Sequence, residues 1–295
     1  MTPAPEPEVA TPSRLRRPSS RLPYFDPILA MLSLDEAEFV ATSGLHVHWG
    51  YWHDPCSAHR SADDFARAQE LMSRHLCDLA GVEAGEAVLD AGCGFGGTVA
   101  SLNERLGGVT LIGINTDERQ VSRARRQVVA RPGNSVGFVV GDACTLPFAD
   151  ASFEHVLAVE CIMHFPSRLN FMREARRVLR PGGQLTISDF SPIVSVPKPL
   201  TRLFGVLNSS VSRTYGPSDI TYTCNDYHRL AKESGFRSMT VDDITLNTLP
   251  TYPVVRRLIR KAIGRETDWV TFFLEWLSRS GIVRYLILSF SAEDE

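Results

Sequence analysis

The chain has 295 residues, 43% of them hydrophobic, with a formal net charge of −3 and a pI near 6.3. That length fits one large domain or one domain with additions, and the apolar fraction supports a substantial core. A balance of 31 basic to 34 acidic residues carries no nucleic-acid footprint. The six cysteines are scattered without a C-x-x-C pair and indicate neither a zinc site nor a disulfide framework, so a reducing compartment, the cytoplasm, is the simpler expectation.

Residues 1–23 hold six prolines and little apolar content. They contain no apolar signal region, and Glu6 and Glu8 speak against an organelle transit peptide, so the stretch reads as a disordered tail. Residues 24–60 are rich in aromatic side chains and histidine. His46 and His48 have the H-x-H spacing of a metal site but no carboxylate or cysteine partner at ligand spacing. The plainer reading is a cap that lays its rings on the core. Ser61 opens a helix with Asp64 three residues on, a capping box. Phe65, Ala68, Leu71, Met72, Leu76 and Leu79 form the buried face of that helix.

Val88-Leu89-Asp90-Ala91 reads as a buried strand that runs into Gly92-Cys93-Gly94-Phe95-Gly96-Gly97. The glycines let the chain turn sharply and bring its main chain against a ligand; Val99, Leu102 and Leu106 then recur at helical spacing. Gly92, Gly94 and Gly97 fit the dinucleotide pattern G-x-G-x-x-G. Asp90 weighs against that reading, because a carboxylate two residues before the first glycine would repel a pyrophosphate seated on the helix N-terminus. A ligand whose near end is cationic suits it. A second strand covers 109–114. Where a dinucleotide site usually carries an acid for the ribose, this chain has Asn115, then Thr116 and Asp117, with Asp117 capping a helix over 118–130.

A third strand, 136–140, leads into Gly141-Asp142-Ala143, and a fourth, 153–159, ends at Glu160, with His164 shortly beyond. Ligands in open α/β sheets bind beyond the carboxyl ends of strands, which is where Glu160 and His164 fall. Ser167 caps the next helix, Arg180-Pro181-Gly182-Gly183 stops it, and 184–188 is the fifth strand. The long stretch before a helix at 225–234 reads as a lid or binding element, with Tyr215, Tyr222, Tyr227 and His228 as candidate pocket residues. Strands at 239–246 and 283–290 make a hairpin. Residues 247–281 are inserted between them, helical near 267–277, as a second piece of cap or a dimer surface. The apolar C-terminal third is too short, and too interrupted by Arg279 and Arg284, to span a membrane.

Four motifs in order resemble class I S-adenosylmethionine (SAM)-dependent methyltransferases of the small-molecule, natural-product and tocopherol-type group. They are the Asp90–Gly97 corner, Gly113-Ile114-Asn115-Thr116, Gly141-Asp142-Ala143 and Arg180-Pro181-Gly182-Gly183. The resemblance covers about 61–245 and the last strand. It implies an α/β, Rossmann-like fold with a seven-stranded, mostly parallel sheet and a helical cap. It also implies a single domain over 24–295, with cap insertions near 190–224 and 247–281. SAM is the implied cofactor, held by Asp90, Gly92, Cys93, Gly94, Asn115, Thr116, Gln120, Asp142, Ala143 and Glu160. In that scheme Asp90 serves the methionine end and Asn115 the ribose hydroxyls, while Asp142 accepts from the adenine amino group and the Ala143 amide reaches a ring nitrogen.

The expected reaction is C- or O-methylation of a small, apolar secondary metabolite, isoprenoids and polyketides included. His164 has the ordinary pKa of a base. Glu160 either contacts the cofactor or is the base for carbon methylation, and the residues alone do not separate the two. Two other readings stay open. One is an NAD-dependent oxidoreductase, against which Asp90, the Asp142 motif and the missing acid at residue 115 speak; the other is the same fold acting without methyl transfer, as a cyclase or binding protein. The expected partner is a small-molecule substrate, with no nucleic acid, membrane or metal, and a homodimer is admitted.

Overall fold

Among the described residues, seven strands form one sheet: β1 (Ala87–Ala91), β2 (Thr110–Asn115), β3 (Ser135–Val140), β4 (Phe153–Val159), β5 (Leu179–Pro192), β6 (Phe236–Asp243) and β7 (Val283–Ala292), in the order β3-β2-β1-β4-β5-β7-β6. The computed structural model describes residues 22, 25–194, 216–262, 264 and 268–292. All of the expected tail 1–23 except Leu22, and most of the expected insertion at 190–224 with Tyr215, lie outside these. β1 to β5 run parallel, and β7 is antiparallel to both β5 and β6. A parallel strand covered on both faces should be apolar throughout. β1 is buried at all five positions, and Asp90 is the polar exception within it. The strand order reverses between β1 and β4, and the crevice at such a reversal is where open α/β sheets bind ligands.

The helices are α1 (Phe25–Ser33), α2 (Ala37–Ser43), α3 (Ala62–Leu79), α4 (Gly97–Arg105), α5 (Glu118–Gln127), α6 (Arg168–Val178), α7 (Cys224–Glu233), α8 (Thr245–Thr248), α9 (Thr251–Ala262) and α10 (Asp268–Arg279). Helices α6 and α7 cover one face of the sheet through Phe171, Met172, Tyr227 and Leu230. Helices α3, α4 and α5 cover the other through Met72, Leu76, Leu102 and Val121. A third apolar cluster joins Phe25, Phe39, Phe65, Phe95, Val254 and Leu258. This is the cap, built by α1, α2, α9 and the start of α3. No helix of the described residues is long and apolar enough to cross a membrane.

Several expectations are corrected by the structure. The Ser61 hydroxyl accepts from the Asp64 amide, but the Asp64 carboxylate takes the Arg60 amide and the Trp52 indole N–H, so only half of the capping box forms. Helix α5 stops at Gln127 rather than residue 130. β5 extends well past 184–188, because its pairing with β7 continues to Pro192 opposite Val283. β6 lies earlier than 239–246, since the Asp243 carboxylate takes the Thr245 amide at 3.1 Å and starts α8 there. Residues 247–281 hold two helices, not one, and the inner face of α9 belongs to the cap.

Arg168, at the start of α6, is 3% exposed and sits 2.8 Å from the Asp189 carboxylate, itself fully buried. Tyr227 also donates to Asp189 and accepts from Arg168 at 2.8 Å. Removing one partner of a buried pair leaves an uncompensated charge. Arg168→Met is therefore expected to lower unfolding stability by about 3–5 kcal/mol at pH 8. Burial already pushes the Asp189 carboxyl up, so the loss should shrink towards pH 5, where the carboxyl takes a proton. Urea unfolding at the two pH values checks this, and an equal loss at both contradicts it.

Candidate active site

The turn after β1 folds back on β2: the amides of Gly92 and Cys93 both donate to the Ile114 carbonyl, at 2.8 and 3.1 Å. Gly92 has φ +81°, and a Cβ there would lie 2.6 Å from Cys161 Sγ, so both conformation and space require glycine. At Gly97, the first residue of α4, a Cβ would strike the His46 ring. The turn thus brings three segments together: the β1 end, the β4 end and the stretch before α3. Around it lies a cleft of about 1280 Å³, counting its open mouth. Asp90, Gly92, Cys93, Gly94, Asn115, Thr116, Gln120, Asp142, Ala143, Glu160 and His164 all line it. Every site residue expected from the sequence therefore meets in one cavity.

Asp90 is 3% exposed, and its Oδ2 has no hydrogen-bond partner. Burial pushes its carboxyl up to about 7. An unsatisfied carboxyl oxygen in a cleft is stabilised by a cationic donor. Beyond β2, Asn115 accepts from the Asp117 amide and donates to Gln120 Oε1, at 3.0 and 3.2 Å. Asp117 caps α5 through the Arg119 amide, as expected, and also lines the cleft. Asp142 takes the Cys144 amide on Oδ1 at 2.8 Å, so one oxygen shapes the turn while the residue still borders the cavity.

Glu160 stands in the left-handed region at φ +50°, a strained conformation for a residue with a side chain and one that clusters at functional sites. Its position is over-determined. The Glu160 amide donates to Ser188 Oγ at 3.0 Å, and Oε2 accepts from both the Trp49 amide at 2.9 Å and the Tyr285 hydroxyl at 2.7 Å. Burial raises its carboxyl to about 8, against the opposing pull of those two donors, so it is largely protonated at neutral pH. His164 is different. Its Nδ1 lies 2.8 Å from the Pro217 carbonyl. A carbonyl only accepts, so Nδ1 carries the proton and Nε2 keeps its lone pair. Burial lowers the imidazole pKa, which keeps the ring neutral and able to accept.

A second cavity, of about 1170 Å³ with its mouth, opens on the other side of these two residues. Glu160, His164 and His48 line both cavities. The walls of the second are apolar, with Phe39, Phe65, Trp49, Phe190, Val255 and Leu258 among them, and no lysine or arginine lines it among the described residues. Tyr222, Tyr227 and His228 do not line it. Tyr227 is buried in the core beside Asp189, which corrects the expectation of a pocket role.

A family model described as a methyltransferase domain matches residues 89–187. Methyltransferase GfsG of Streptomyces halstedii is 36% identical over 212 residues, covering 71% of this chain and 72% of that protein. The 27-O-demethylrifamycin SV methyltransferase of Amycolatopsis mediterranei (strain S699) is 33% identical over 218 residues, covering 71% and 73%. The chain belongs to the class I SAM-dependent methyltransferases. Its fold is shared with a crystal structure of geranyl diphosphate C-methyltransferase from Streptomyces coelicolor A3(2), at TM-score 0.68 and 20% identity, covering 93% of this chain and 99% of that one.

SAM, the cofactor of this family, fits the cleft of this methyltransferase on the structure's own terms, since the orphaned Asp90 oxygen asks for a cationic donor at the glycine corner. The methyltransferase also contains groups that the sequence pattern did not single out. Tyr285 comes from the last strand, 125 residues from Glu160, and no local pattern could pair them. Trp49 holds Glu160 through its main chain, which side-chain identity does not reveal. His46 and His48 join through a 3.1 Å contact, with Glu70 3.2 Å from His46 and the Trp49 carbonyl 2.9 Å from His48. Both outer partners only accept, so this arrangement places three protons on four ring nitrogens, a positive charge that Glu70 offsets. Burial holds His48 down to about 3. Burial alone would raise the Glu70 carboxyl, but hydrogen bonds from His46, Arg74 and Ser101 outweigh it and pull the group to about 2.

Proposed function

We propose that this methyltransferase transfers the methyl group of SAM to a hydroxyl oxygen of a small, neutral, largely apolar secondary metabolite, in a reducing compartment such as the cytoplasm. One observation carries the reading: an apolar cavity meets the cofactor cleft at Glu160 and His164. Asp90 would hold the ammonium of the methionine end. Asn115 and Gln120 would serve the ribose, with Thr116 alongside. Asp142 and Ala143 would serve the adenine, and the Gly92–Gly97 turn, with Cys93, would lie against the main body of the cofactor. When bound, SAM supplies an electrophilic methyl group on a sulfonium sulfur.

The chain's own part is to orient the acceptor and take its proton. His164 Nε2 is the accepting atom, since Nδ1 is committed to Pro217. Glu160, protonated near neutral pH and fixed by Tyr285 and Trp49, shapes the passage between the cavities rather than acting as the base. The apolar walls exclude water from the acceptor. With no lysine or arginine among the described lining residues, an acceptor bearing a phosphate or carboxylate is disfavoured. The rifamycin relative is named for a transfer to oxygen, which supports the same choice.

The test is a screen of neutral, hydroxylated metabolites with SAM isotopically labelled on the methyl group. Label recovered on an oxygen, with S-adenosylhomocysteine formed in equal amount, is the expected result. Label on carbon, or turnover confined to phosphorylated acceptors, contradicts it.

A further inference from the structure

We propose that Ser218 binds a second oxygen of the acceptor, beside the one His164 serves, so that the acceptor is a neutral molecule carrying two neighbouring oxygens in an apolar frame. This rests on the reading of the apolar cavity as the acceptor site. Ser218 lines that cavity. Its Oγ is buried and has no hydrogen-bond partner. Buried hydroxyls are nearly always paired, and an unpaired one on a cavity wall is explained by a group that arrives with the ligand. The other polar side chains on this wall are already engaged: Gln69 donates to the His48 carbonyl at 2.7 Å, and the Tyr252 hydroxyl meets Ser278 Oγ at 2.6 Å.

The placement of Ser218 relative to the imidazole is fixed from both sides. The preceding carbonyl, of Pro217, accepts from His164 Nδ1 at 2.8 Å. The following residue, Asp219, donates its amide to the Met163 carbonyl at 2.9 Å, and its carbonyl accepts from the buried Arg168. Residues 217–219 are therefore fastened to the loop that carries the base. A serine hydroxyl can both donate and accept, so it reads a carbonyl or a hydroxyl oxygen equally. It offers no charge, in keeping with walls that hold no cation among the described residues.

The experiment measures binding to the protein saturated with S-adenosylhomocysteine, using naphthalene, 2-naphthol and 2,3-dihydroxynaphthalene as probes for wild type and Ser218→Ala. In wild type the second hydroxyl should tighten binding about fivefold, the range of one net hydrogen bond. In Ser218→Ala the diol and 2-naphthol should bind equally, while naphthalene binds at least as well as to wild type. Removing an unpartnered hydroxyl should leave the thermal midpoint unchanged, which separates lost recognition from lost folding. The proposal is overturned if the diol has no advantage in wild type, or keeps its advantage in the variant. If naphthalene itself fails to bind wild type, the apolar acceptor site is wrong and this inference falls with it.

Discussion

His164→Ala is expected to lower kcat by about 10²–10⁴-fold, the range of general-base catalysis, while SAM affinity stays within about threefold, since the imidazole carries no charge for the cofactor to meet. The wild-type rate should rise with pH through the His164 pKa, which burial sets below its ordinary 6.5, because only the neutral ring accepts a proton. That acid limb should vanish in the variant. Glu160 gives the contrast. Its carboxyl titrates near 8, so glutamine reproduces its neutral form and still accepts from Trp49 and Tyr285. Glu160→Gln should change kcat at pH 7 by less than about tenfold. Steady-state kinetics of both variants on the acceptor found by the labelled-methyl screen decide between them: if Glu160→Gln suffers the larger loss, the base has been misassigned.

Asp90→Asn is expected to weaken SAM binding by about 10–150-fold, the range of a lost charge-assisted hydrogen bond. A pH signature goes with it. In the free protein burial holds the carboxyl at about 7, whereas a bound ammonium favours the ionised form. Below about pH 7 the carboxyl must therefore release its proton on binding, and affinity should fall about tenfold per pH unit. Titration calorimetry at pH 6 in buffers of different ionisation enthalpy should report release of about one proton for wild type and none for the variant. Stability of the free protein should move the opposite way. A group whose folded pKa is raised binds its proton more tightly when folded, so stability declines as pH climbs from the ordinary carboxylate range near 4 to about 7 and levels off above it. Asp90→Asn should flatten that slope in thermal melts.

The cofactor cleft was legible in the sequence because its parts are local. Asp90 to Gly97, Asn115 to Gln120, Asp142-Ala143 and Glu160 each follow directly on a strand, and parallel strands deliver their carboxyl ends to one edge. The acceptor side was not, because it is assembled from distant pieces. Ile28 on α1, Phe65 on α3, Leu258 on α9 and Ser218 share no pattern in the chain, and helices α1, α2 and α9 went unread. α1 and α2 are nine and seven residues long, too short for periodicity to separate them from an aromatic-rich loop. The left-handed backbone at Glu160 was invisible for another reason, since strain at a non-glycine residue is set by what surrounds it, here Ser188, Tyr285 and Trp49. Asp90 was read as a standing negative charge, but burial makes it a carboxyl that becomes one when a cation arrives.

The hydrogen bond from the Trp49 amide to Glu160 has a bearing on how substrate range can be altered. Its donor belongs to the peptide unit, so any residue except proline at position 49 keeps it. The indole, meanwhile, forms part of the acceptor wall. Recognition and anchoring are thus separable at a single position: Trp49→Ala should widen the space for bulkier metabolites with the acid still clamped, whereas Trp49→Pro should unclamp it. A library randomised at this codon would sample acceptor shape without dismantling the passage to the methyl donor.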